Sequence, residues 1–152
     1  MPVAATRYRA PVTEDYSGPS YPGQHLGLPE SGAGSAAGWG RRVLALVVDW
    51  FLSMMAVGTF VGTEIWSGGG AAQWAPLGVF AVQRWVLTTS LGGSAGQLIC
   101  RIHVHSVAAV RVTAWQVLLR TVLLCLVIPP LITNRDRRGM HDMAAGTVVV
   151  CR

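Results

Sequence analysis

The stretch Arg41-Arg-Val-Leu-Ala-Leu-Val-Val-Asp49-Trp-Phe-Leu-Ser-Met-Met-Ala-Val-Gly58-Thr-Phe-Val-Gly62 decides the reading of this chain. Its 20 positions from Val43 to Gly62 hold a single charge, Asp49. At a rise of about 1.5 Å per residue, a helix of about 20 residues covers the roughly 30 Å hydrocarbon layer of a bilayer. Two further stretches have the same character. Ala72 to Leu91 carries only Arg84, and Val112 to Ile132 carries only Arg120.

Composition agrees with a membrane reading. The chain has 152 residues, enough for one domain, and 51% of it is apolar while 12% is charged. Soluble domains carry roughly a quarter charged residues, which argues against a water-soluble globule. All 12 basic residues are arginine, against 7 acids. They punctuate apolar runs instead of covering a polar face, which argues for the lipid bilayer as partner and against nucleic acid.

Residues 1 to 40 differ from the rest. They contain 22 Gly, Ala, Pro or Ser and four Val, Leu, Ile or Phe. That is too little apolar area to offset the entropy of ordering, so residues 1–40 read as a disordered tail and residues 41–152 as the transmembrane domain. The tail has no apolar stretch of secretory-leader length. Its tyrosines, Tyr8, Tyr16 and Tyr21, suit either a solvated linker or a partner-binding segment, and no partner is specified.

The fold class expected is all-α: a small helical membrane bundle of two spanning helices plus a third that spans or re-enters. Between the second and third stretches the chain alternates. Leu98, Cys100, Ile102 and Val104 lie on one face and Arg101, His103 and His105 on the other. A period of two predicts a short strand with one wet face, and the β-branched run Thr147 to Cys151 is its expected partner. Arginines before the first stretch and in the loop between the second and third place both in the cytoplasm. Pro129-Pro130 interrupts the third stretch, and Arg135, Arg137 and Arg138 beyond it favour a C-terminus on the cytoplasmic side.

Charge depth singles out the candidate site. Asp49 stands seven residues into the first stretch, Arg84 seven from the end of the second, and Arg120 eight into the third. By helical rise these levels coincide at roughly 10 Å. Buried charges in lipid normally face the bundle interior and pair, so Asp49 is expected to pair with Arg84, Arg120 or both. Arg42 stands two helical turns before Asp49 and points to the same face. Asp142, with Arg137, Arg138 and His141 nearby, reads either as a solvated surface acid or, if the tail folds back, as a second carboxylate for the cluster. Most tryptophans lie near the ends of the stretches, where indole anchors at the interface; Trp85, beside Arg84, does not.

Other constellations carry little. Cys100, Cys125 and Cys151 lack a Cys-x-x-Cys, so neither a zinc site nor a disulfide framework is expected. His103 and His105 read as polar residues on the wet face of a strand. No nucleophile–base set or paired carboxylates can be assembled, so no cofactor, metal or enzymatic activity is expected. Gly58 and Gly62 have the Gly-x-x-x-Gly spacing of a close helix contact and mark a candidate homo-oligomer seam.

The segment Arg42-Val-Leu-Ala-Leu-Val-Val-Asp49 resembles the opening signature of the RDD family of small bacterial membrane proteins. Asp136-Arg-Arg-Gly-Met-His-Asp142-Met-Ala-Ala-Gly-Thr-Val-Val-Val resembles its closing signature, and Gly93-Ser-Ala-Gly96-Gln-Leu its glycine-containing loop. Gln97 and Arg101 depart from that loop's usual residues. The resemblance implies a multi-pass protein of the bacterial cell membrane and makes Arg42, Asp49 and Asp142 the signature residues. Two functions are expected: transport of ions or small ligands through the Asp/Arg cluster, or a non-catalytic scaffold module whose cluster is structural. Three spans cannot enclose a pathway, so transport requires an oligomer.

Overall fold

The computed structural model describes residues 20–62, 70–108, 112–126, 134 and 136–152. Helix α1 runs from Trp39 to Phe60, 22 residues, or about 33 Å of rise. Its buried positions are Ala45, Asp49, Ser53 and Val57, each four apart and therefore on one face. Leu44, Val47, Phe51, Met55 and Phe60 point outward and are exposed. A water-soluble helix shows the opposite arrangement, apolar inward and polar outward. Among the described residues α1 is the one helix long and apolar enough to cross a membrane.

Helix α2 covers Ala75–Leu91, 17 residues. The expected second span begins instead as a 3₁₀ turn at Ala71–Trp74, and Pro76 fits the first turn of α2, where a missing N–H costs nothing. Its inward stripe is Pro76, Phe80, Arg84 and Thr88. Helix α4, Ala114–Cys125, begins at a capping box in which Thr113 and Gln116 satisfy each other's backbone N–H. It buries Val117, Arg120, Thr121 and Leu124. Trp85 Nε1 donates to the Ala114 carbonyl at 3.1 Å, a tie between α2 and α4 that accounts for an indole away from the interface. The remainder of the third apolar stretch, Pro129-Pro130 included, lies outside the described residues.

The expected strand is half right. Leu98 belongs to a short helix, α3 (Ala95–Ile99), because Ser94 and Gln97 form a second capping box. Strand β1 starts later, at Ile102, and ends at Ser106. It pairs antiparallel with β2, Thr147–Cys151, with Val104 opposite Val149. Helix α5, Met140–Ala144, leads into β2.

The tail boundary also moves. Trp39 and Gly40 belong to α1, and the segment before them lies along β2. Gly34 N–H donates to the Cys151 carbonyl at 2.8 Å, Cys151 N–H to Ser35 at 2.9 Å and Ala37 N–H to Val149 at 2.9 Å. Ala36 bridges Val150. Small side chains permit this: Ala37 is fully buried against Ala45, Ile102 and Val149, so low apolar content did not prevent order here. Residues 1–19 lie outside the described residues. The start of α1, α3, α5 and the sheet thus gather at one end of the bundle.

Candidate functional site

Asp49 is fully buried, and its carboxylate accepts three hydrogen bonds. Oδ2 accepts from Arg84 Nη1 of α2 and from Ser94 Oγ at 2.6 Å, while Oδ1 accepts from Gly96 N–H at 2.7 Å. Its backbone carbonyl accepts from Ser53 Oγ at 2.8 Å and from Gln83 Nε2 at 2.9 Å. One carboxylate therefore joins α1 to α2 and to the start of α3. The Arg84 guanidinium also stacks over Phe80, 5.4 Å from the ring centroid.

Asp142 forms the second centre. It too is fully buried. Oδ2 lies 3.1 Å from Arg42 Nη1, and Oδ1 lies 2.8 Å from Arg120 Nε and 3.4 Å from His141 Nε2. Arg42 spends its other donors on the Ala37 and Val149 carbonyls, both at 3.1 Å. This pair therefore joins α1, α4, α5 and β2.

All five candidates, Arg42, Asp49, Arg84, Arg120 and Asp142, line or border one region, but the pairing differs from expectation in one respect. Asp49 takes Arg84 alone, and Arg120 goes to Asp142. Beside Arg84, the other partners of the Asp49 carboxylate come from the loop, Ser94 Oγ and Gly96 N–H. Sequence reasoning missed Ser94, Gly96 and Gln83. The spacing Ser94-x-x-Gln97 is a legible helix start, but nothing in it announces that a carboxylate from α1 sits over that start.

Between the two centres is a partly enclosed cavity of about 50 Å³, lined by Arg42, Arg84, Arg120, His141 and Asp142 with Val43, Leu46 and Leu124 as apolar walls. Among the described residues no group of three or more His, Cys, Asp or Glu could hold a metal. Cys100, Cys125 and Cys151 are free thiols, and His103 and His105 pack ring against ring at 5.0 Å. The glycine seam changes: Gly58 is open on α1, but Gly62 lies beyond the helix end at φ +95°, where left-handed backbone favours glycine. The two do not share a helix face.

Burial, reinforced by Arg120, Arg84 and Arg42 and opposed by Asp142, pushes His141 from 6.5 down to about 4. Burial works to raise the Asp142 carboxyl, but Arg120, His141, Arg42 and Arg138 overcome it and hold it below its ordinary 3.8. The unfolded chain therefore binds His141's proton first on acidification. Stability supplied by a neutral His141 is lost between pH 6.5 and about 4, by at most about 3 kcal/mol. The Asp142 contribution is lost only at still lower pH. Thermal unfolding in detergent should show a midpoint falling across that first window. His141→Gln should flatten the fall; an unchanged slope would remove His141 as its source, leaving His103, which burial also lowers.

Comparison with curated proteins gives no match, and neither does comparison with solved structures. The family model described as RDD family matches residues 36–146, from the segment on β2 through both aspartates to the turn before β2. The chain belongs to the RDD family.

Proposed function

We propose that this chain, by its family a membrane protein, is a multi-pass, non-enzymatic protein of the cell membrane that moves an ion or small ligand through the cavity between the two aspartates. The single observation that carries this reading is the inward convergence of charge. Helices with apolar outer faces turn Arg42, Arg84 and Arg120 toward one cavity, α5 adds Asp142, and buried Asp49 pairs with Arg84 at its edge. Intramembrane ionisable residues of this kind mark ion and substrate pathways.

The topology that fits places both ends of the domain in the cytoplasm. Arg42, at the start of α1, bonds Asp142 and Val149, so the C-terminal segment shares a side with the start of α1. Exposed arginines on that side (Arg41, Arg101, Arg152) suit the inner leaflet. Three apolar stretches are too few to enclose a pathway, so the working unit is a homo-oligomer.

A scaffold reading has its own support, because the Asp49 side chain accepts three hydrogen bonds that join three elements. Flux from proteoliposomes separates the two. Reconstituted protein should release a panel of small cations, anions or protons above protein-free vesicles. Arg120→Gln should cut that release at least tenfold while remaining monodisperse, and Arg120→Lys should retain part of it. No flux from well-folded protein would favour the scaffold.

A further inference from the structure

We propose that the cavity between Asp49 and Asp142 binds one small inorganic monoanion of the halide or nitrate class. The proposal deepens the ion-handling reading and rests on the same cavity, but its test is binding, not flux.

Charge comes first. Three guanidinium groups, Arg42, Arg84 and Arg120, face two carboxylates, Asp49 and Asp142. His141 in its neutral form adds nothing, so the centre retains one positive charge. Breaking even a buried pair costs several kcal/mol because it leaves such a charge uncompensated. A fold that keeps three arginines inward needs a counter-charge there, and a single anion supplies it.

Donors come second. A guanidinium carries five N–H groups. Arg42 spends its donors on two carbonyls and Asp142. Among the described residues Arg84 makes one hydrogen bond, from Nη1 to Asp49. Arg120 meets Asp142 through Nε, close but so poorly aligned that neither Nε nor Asp142 Oδ1 completes a hydrogen bond. Both residues are 4% exposed and line the cavity. Two buried cations therefore border one space with fewer hydrogen bonds among the described residues than the five donors each carries.

Size and walls come third. One water needs a cavity of about 10–15 Å³, so about 50 Å³ admits a halide or a small planar anion. Val43, Leu46 and Leu124 form its apolar side, which selects anions that give up water readily and rejects sulfate or a bulky carboxylate. The excess positive charge disfavours a metal cation or ammonium.

The full chain, purified in detergent, is titrated with sodium chloride while the chloride-35 NMR linewidth is followed. The proposal expects excess broadening that saturates, is displaced by bromide or nitrate, and is not displaced by gluconate. Val43→Phe and Leu124→Phe fill the cavity from opposite sides and keep every charged residue; each should abolish the saturable component. Arg120→Gln should weaken it at least tenfold, and if that variant does not fold, the two filling variants carry the test. Exposed arginines also broaden chloride, but cavity filling leaves them untouched. Folded protein without a saturable component, or filling variants that keep it, would overturn the site. Saturable binding without flux would overturn transport and leave this proposal standing. Cation or proton flux without saturable binding would do the reverse.

Discussion

Asp49→Ala should prevent the domain from reaching a stable fold. The substitution leaves the Arg84 guanidinium, 4% exposed, without its carboxylate. It also strips the acceptor from Ser94 Oγ and Gly96 N–H. Removing one partner of a buried pair costs about 3–5 kcal/mol, and each stranded donor adds about 1–3 kcal/mol. The total is comparable to the whole stability of a small domain. Asp49→Asn should be only partly milder, since it preserves shape and loses the charge. Replacing both partners, Asp49→Leu with Arg84→Met, should recover part of the loss, because the costliest term is the unpaired cation. Yield of monodisperse protein and the thermal midpoint in detergent measure this. A single mutant with wild-type yield and midpoint would refute the view that the carboxylate holds the bundle together.

Function needs a variant that keeps Arg84, which lines the cavity. If Asp49 only fastens α1 to α2 and α3, the Asp49→Asn protein that does fold should keep any ion flux. If Asp49 takes part in ion passage, that protein should lose it. Asp142, shared between Arg42 and Arg120 beside the cavity, stands closer to that passage.

How far the sequence exposed this arrangement differs from element to element. Asp49, Arg84 and Arg120 could be placed at one depth because helical rise converts residue count into distance, and lipid leaves an ionised carboxylate few alternatives to a partner. Arg42 was placed on the face of Asp49 by its spacing, whereas Asp142 was singled out by the family signature; spacing alone leaves it open between a surface acid and a member of the cluster. Which arginine meets which aspartate was not legible. That choice depends on the loop at 94–96 and on α5, whose positions follow from tertiary contacts. The strand reading of Leu98 failed because alternation over so few residues cannot distinguish a strand from a helical turn, whereas Ser94-x-x-Gln97 could. Order at residues 34–37 escaped because it rests on backbone hydrogen bonds to β2, and backbone bonding leaves almost no mark on side-chain composition.

Gly96→Ala should be nearly as damaging as the loss of Asp49, although it adds one methyl group. A Cβ at residue 96 would collide with the Ala45 carbonyl oxygen and lie 2.9 Å from its carbonyl carbon. The obstruction is helix backbone, which cannot rotate away as a side chain tip can. Relief requires α3 to withdraw from α1, and withdrawal breaks the Gly96 N–H bond to Asp49 at 2.7 Å. Overpacking a well-filled core costs about 1–3 kcal/mol; here a buried charge-assisted hydrogen bond, about 1.5–3 kcal/mol, is lost as well. A drop of about 3 kcal/mol or more is expected. Gly58→Ala is the matched control: its Cβ would meet nothing within 4 Å on α1. There, alanine should hold or raise stability by about 0.5–1 kcal/mol through helix propensity. Opposite signs for the same chemical change would locate the constraint in the contact between α1 and α3. Equal, small effects at both sites would mean that the two helices do not approach as closely as the Asp49 bonds require.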